Sequence, residues 1–136
     1  MSKEMNSPPV KKTELYLYRS LGWNEWNTVD PFEFLELIKE KPDKPVRLRD
    51  APENWIRREH IDRLVSLLHS TVPVSATAYF ASAHAPPEGY HSTVGHEAAR
   101  MIDCYRRGGR YPPSVSDLDL TDAQEIEKWW REKKTE

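Results

Sequence analysis

Three histidines, His84, His91 and His96, fall in one short stretch with Ser92 between the last two. Imidazoles are good zinc ligands, and a serine beside a base can act as a nucleophile. The spacing of the three histidines matches no standard ligand pattern, and no GxSxG elbow surrounds Ser92. The run His96-Glu97-Ala98-Ala99-Arg100 departs from the helical zinc-protease motif, because Arg100 stands where the second imidazole is needed. A guanidinium at that place repels a metal. Cys104 is the only cysteine, so neither an internal disulfide nor a cysteine zinc cluster can form. The nearby Arg100, Arg106 and Arg107 can lower a thiol pKa, although an ordinary semi-buried cysteine is the simpler reading. Neither GxxxxGK[ST] nor GxGxxG occurs. These residues assemble no catalytic set and imply no cofactor, which weighs against an enzyme. A His-based metal or enzyme site at 84–96 is kept as an alternative.

A second group has the chemistry of binding. Arg100, Tyr105, Arg106, Arg107, Arg110 and Tyr111 combine guanidinium groups with aromatic rings, a mixture that suits phosphates and bases. The net charge of −2 argues against a polyanion partner for the whole chain. The charge is unevenly spread: residues 44–113 carry 10 basic and 7 acidic groups, between acidic flanks. Such an arrangement suits intramolecular complementarity better than a nucleic-acid surface. The chain also has five tryptophans. Trp and Arg are enriched where proteins bind proteins. The sequence therefore points to a protein-binding module, an adaptor or an inhibitor, with Trp23, Trp26, Trp129, Arg100, Arg106, Arg107 and Tyr111 as its contact residues. Trp23 and Trp26 lead that group because they sit in a turn, where an exposed indole is expected. The alternative is a nucleic-acid-associated protein using Arg106, Arg107, Arg110 and Tyr111.

The element that must position most of these groups is a helix over 93–107. Val94, Ala98, Met101, Ile102 and Tyr105 make one apolar stripe, and His96, Arg100, Asp103, Arg106 and Arg107 fall opposite. Ser92 or Thr93 can cap its start, Glu97 suits the first turn, and Gly108 or Gly109 can end it in the left-handed conformation. Further helices are predicted at 31–41, where Asp30, Pro31 and Glu33 form a start signal, at 57–70 and at 121–133, capped by Thr121. Met101, Ile102, Leu64, Leu68, Ile38 and Trp130 are expected in one core.

The expected fold is therefore mainly α, a single small domain of four to five helices over 14–133, with a possible short strand pair among 14–18, 46–49 and 72–80. Residues 1–13 read as a disordered arm and 134–136 as a frayed end. No apolar run is long enough to cross a membrane, and the residues after Met1 lack the apolar centre of a signal peptide. The expected setting is soluble and cytoplasmic, with another protein as partner.

Overall fold

The computed structural model describes residues 23–81, 87, 89–112 and 123–135. Within them the chain forms α1 (Pro31–Leu37), β1 (Val46–Leu48), α2 (Arg58–Ser66), β2 (Pro73–Ser75), β3 (Thr77–Tyr79), β4 (His91–Thr93), α3 (Val94–Arg107) and α4 (Ala123–Lys133). A 3-10 turn, Trp26–Thr28, precedes α1. The expectation of a mainly helical fold is corrected. The described residues are 45% helical and 13% strand, with two small sheets, which makes a mixed α/β protein. Strands occupy two of the three stretches named above, 46–49 and 72–80. The third, 14–18, lies outside the described residues, as do the expected arm at 1–13 and the Thr121 cap.

Helices α1 and α3 start where their capping chemistry puts them. At α1 the Asp30 carboxylate accepts from the Glu33 N–H at 2.8 Å, and the Glu33 carboxylate accepts from the Asp30 N–H at 2.9 Å. At α3 the Thr93 hydroxyl accepts from the His96 N–H at 3.1 Å. Gly108 ends that helix with φ of 73°, a left-handed value that suits glycine. The ends of α1 and α2 come earlier than the apolar stripes suggest, because neighbours take the last carbonyls. Ser75 N–H donates to Ile38 O at 2.8 Å, and the Ser75 hydroxyl donates to Lys41 O at 2.9 Å. Beyond α2, the turn 67–70 tightens to bonds three residues apart, and Ser70 O receives the Gly95 N–H at 3.0 Å.

The sheets arise from one extended stretch that changes partner. β2 pairs antiparallel with β4 in the register Pro73↔Thr93, Val74↔Ser92 and Ser75↔His91. Past Ala76 the same stretch, now β3, pairs parallel with β1 as Val46↔Thr77, Arg47↔Ala78 and Leu48↔Tyr79. Trp23 bridges the other side of β1 at Leu48. Helices α2, α3 and α4 pack on one another, and α3 also meets β4. Leu64, Leu68, Met101, Ile102, Ile38 and Trp130 all lie in one buried cluster, as the apolar stripes require. One end of it is aromatic, with Trp23, Trp26, Phe34, Trp55 and Tyr111 together and Trp26 at 4.9 Å from Trp23 and 4.5 Å from Trp55 between ring centres. Two of these indoles are satisfied by backbone: Trp26 donates to Arg49 O and Trp55 to Val29 O, each at 2.9 Å.

The start of α3 approaches the end of α2 so closely that a side chain does not fit at Gly95. A Cβ there would stand 2.3 Å from Leu68 O and 2.8 Å from Ser70 O, both backbone atoms with little room to retreat. Alanine normally gains about 1 kcal/mol over glycine inside a helix. Here Gly95→Ala is expected to destabilise instead, by about 1–3 kcal/mol, the usual cost of overpacking. Urea unfolding of the two proteins checks this, and a more stable variant would mean that the two helices can separate freely.

Candidate functional site

Two places gather groups with chemistry. The first is inside the molecule. Glu97, in the first turn of α3, has no solvent exposure. One carboxylate oxygen accepts from the Thr77 hydroxyl at 2.8 Å and the Tyr111 hydroxyl at 2.6 Å. The other accepts from the Ser92 hydroxyl at 2.8 Å, with the Arg100 guanidinium at 3.5 Å. Arg100 also donates to Thr77 O at 3.2 Å. The donors come from β3, β4, α3 and the segment after it, so the carboxylate ties four parts of the chain together. Burial, followed by the adjacent Glu97 charge, pushes the Tyr111 hydroxyl well above its ordinary value, so it stays protonated and donating. With every oxygen engaged and no exposure, Glu97 and Ser92 form a structural knot rather than an open acid or nucleophile.

The second place is an open cleft of about 580 Å³. One wall is the segment Ala51 to Arg58 that leads into α2. The other is the end of α3 and the turn beyond it, with Cys104, Tyr105 and Gly108 to Tyr111. The Ala51 N–H donates to Tyr111 O at 2.8 Å and joins the walls at the base. Trp55 stacks on Tyr111 with ring centres 5.9 Å apart, and both rings are buried. Across the mouth, Arg110 reaches Glu53 at 3.3 Å. Cys104 contributes little reactivity. Its thiol donates to Arg110 O at 3.4 Å, and burial outweighs Arg100 and Arg107, pushing its pKa up to about 12.

The residues expected to bind a partner are divided by this geometry. Trp23 and Trp26 are buried with Phe34 in the core, 0% and 2% exposed, which corrects the expectation of exposed indoles in a turn. The cause is the pairing of Trp23 with β1, which draws the turn inward. Tyr111 is likewise buried, as floor of the cleft and donor to Glu97. Arg100 is half-buried against Glu97 and not on an open polar face. Asp103, expected beside it in solvent, is buried with Arg107 at 3.0 Å and Arg106 at 3.5 Å. Arg107 is exposed, while Arg106 and Trp129 are half-buried against each other. Arg106 lies 5.3 Å over the Trp129 ring, which also meets Tyr105 at 6.4 Å. His91 is exposed with Asp43 at 3.6 Å, while His96 is half-buried at the start of α3. His84 lies outside the described residues, within which no three metal-binding side chains come together.

Sequence reasoning passed over the buried role of Glu97 and the cleft arginines Arg57 and Arg58. Glu97 carried the signal of a first-turn acid, which it also is; its partners Thr77 and Tyr111 are remote in the chain. The arginines had the pattern of a solvated helix face. A comparison of the chain with protein-family models, with curated proteins and with solved structures finds no match.

Two outcomes follow from these contacts. Glu97→Ala would leave three buried hydroxyls without the carboxylate they donate to and remove the ion pair of Arg100, and is expected to cost about 3–5 kcal/mol, the scale for breaking a buried pair from one side. Tyr111→Phe removes one bond to a charged group and is expected to cost about 1.5–3 kcal/mol. Denaturant unfolding of both variants checks the order, and equal losses would show that Glu97 holds no more than its bond to Tyr111.

The cleft wall also contains a pH-dependent cap. At the start of α2 the Arg57 N–H donates to His60 Nδ1 at 3.0 Å. Burial, the first cause, lowers the His60 pKa from 6.5. Protonation fills Nδ1 and removes the acceptor. Because the folded value lies below the unfolded one, this contribution is complete above pH 6.5 and is lost as the pH falls through the lowered folded value. His60→Gln retains an acceptor that does not titrate. Thermal melts should show a smaller loss on acidification for this variant than for the native chain; parallel curves would exclude His60 as the cause.

Proposed function

We propose that the protein is a binding module for another protein, of the adaptor or inhibitor kind, and that the partner sits in the cleft between Ala51–Arg58 and the end of α3. The observation that carries this reading is the composition of that concave surface. It sets exposed Arg57, Arg58 and Arg110 around half-buried Ile56 and Tyr105 over a rigid aromatic floor. Arg and Tyr anchors against well-packed ground are what dominate the energy of protein interfaces. The neighbouring patch of Arg106, Arg107 and Trp129 lies beyond Tyr105 and extends the same chemistry. The acid with the densest polar surroundings, Glu97, has no exposure to offer a substrate. No helix among the described residues is long and apolar enough to cross a membrane. A cytoplasmic setting belongs to the same proposal, supported by the single cysteine.

Steric blockade tests the location. Asn54 is exposed on the cleft wall, and Asn54→Trp fills the space while leaving the core untouched. Val72 is exposed on another part of the surface, and Val72→Arg serves as the control. Co-purifying proteins identified with the native chain are expected to be lost from Asn54→Trp, by at least about 2 kcal/mol in affinity as for an interface anchor, and retained by Val72→Arg. Cross-links from the partner should map to 51–58 and 104–111. Retention by the first variant and loss from the second would move the interface away from the cleft. Tight nucleic-acid binding with a steep salt dependence would replace the protein partner altogether.

A further inference from the structure

The charges of the cleft define the chemistry of what it takes, given the reading of it as a protein-binding site. Three arginines and one glutamate line it, on a chain whose net charge is −2. The charge of the lining is thus opposite in sign to that of the chain. Each arginine is steadied through a small part of its donor set, which numbers five N–H groups in a guanidinium. Arg57 Nε donates to Asn54 O at 3.2 Å, and Arg58 donates to Lys133 O at 3.2 Å while lying 5.5 Å over the Trp130 ring. Arg110 meets Glu53 at 3.3 Å, and that pair spans the cleft from one wall to the other. Both partners are well exposed, 48% for Arg110 and 77% for Glu53, and such a pair stabilises the fold little. A carboxylate of the chain itself therefore stands in the mouth of the cleft at a place where an external carboxylate would gain the same contact.

We propose that the cleft takes an acidic segment of a partner polypeptide, whose Asp or Glu side chains pair with Arg57, Arg58 and Arg110, and that Glu53 is the internal competitor they displace. Charge-assisted contacts from a fixed guanidinium suit carboxylates well. Ile56 and Tyr105 give apolar residues of the segment a place to rest. A nucleic acid fits this site less well, because the Trp55 and Tyr111 rings, at 8% and 1% exposure, offer almost no face for a base to stack on.

The test uses the full chain and a short fluorescein-labelled peptide of alternating Glu and Phe, with a Gln-Phe analogue and a labelled oligothymidylate as comparisons, read by anisotropy. The Glu-Phe peptide is expected to bind saturably and better than either comparison. Arg57→Gln and Arg110→Gln should each weaken it about tenfold, the scale of one charge-assisted hydrogen bond. The deciding variant is Glu53→Gln, a surface change that leaves the fold intact. Removing the competitor should tighten binding by about threefold to tenfold, since Arg110 then meets the peptide without exchange. Equal binding of the Gln-Phe analogue, or a Glu53→Gln affinity that is unchanged or weaker, overturns the proposal. Preference for the oligothymidylate overturns it in favour of nucleic acid. If Asn54→Trp blocks a co-purified partner while the acidic peptide fails to bind, the cleft is still the interface and the acidic partner alone is wrong.

Discussion

The buried carboxylate of Glu97 constrains everything around it. An ion in a water-free interior is tolerated only when its lone pairs are filled, and here three hydroxyls and a guanidinium do so from β3, β4, α3 and the turn after α3. A slip of either sheet by one residue would turn Thr77 or Ser92 away and leave the charge unpaired, so the polar knot selects one register where three-residue strands alone would not. The same knot reaches the surface. Its Tyr111 hydroxyl fixes the ring on which Trp55 stacks, and that stack is the floor of the cleft. The shape offered to a partner is thereby set by an acid that the partner never touches.

The charged residues of the helices do a second job. Arg63 lies 4.1 Å over Phe32, Arg58 over Trp130 and Arg106 over Trp129, so guanidinium groups lie on rings at the borders of the core. Asp62 accepts from the Trp130 indole at 2.9 Å, which, ahead of the Lys134 ammonium, holds its carboxyl below the ordinary range. His69 meets Glu127 at 3.0 Å. With these contacts α4 is bound to α2 through polar edges as well as through Ile126 and Trp130. A buried Trp carries a donor that gains from a partner, and for Trp130 the Asp62 carboxylate supplies it.

How far the chain could be read without its structure depended on the range of the forces involved. The apolar stripes of α2, α3 and α4, the Asp30–Glu33 box, the Thr93 cap and the Gly108 stop are local, and each was legible within a few residues. The strands were legible in part: 46–49 and 72–80 were named as places for a short strand pair, but neither their pairing nor His91–Thr93 was foreseen, because strands of three residues are too short for an alternating pattern. The polar face expected on α3 failed for a related reason. Periodicity identifies a face that is apolar, and it has no means to show that Glu97 and Asp103 on the other side are covered too. For the cleft, the Arg57, Arg58 and Arg110 side chains were visible as charges, but their convergence depends on Ala51 meeting Tyr111, a contact between remote segments.

The parallel pairing of β1 with β3 has a kinetic side. Parallel neighbours cannot be joined by a tight turn, and here the connection carries the whole of α2 and β2 before Thr77 returns to Val46. Entropy must be lost in closing that loop before any ladder bond forms to reward it. Helix formation in α2 shortens the distance the chain has to search, so the timing of strand pairing is tied to a helix that is not in the sheet. A protein with nearly half its described residues in helices thus carries the loop-closure cost associated with sheet topology.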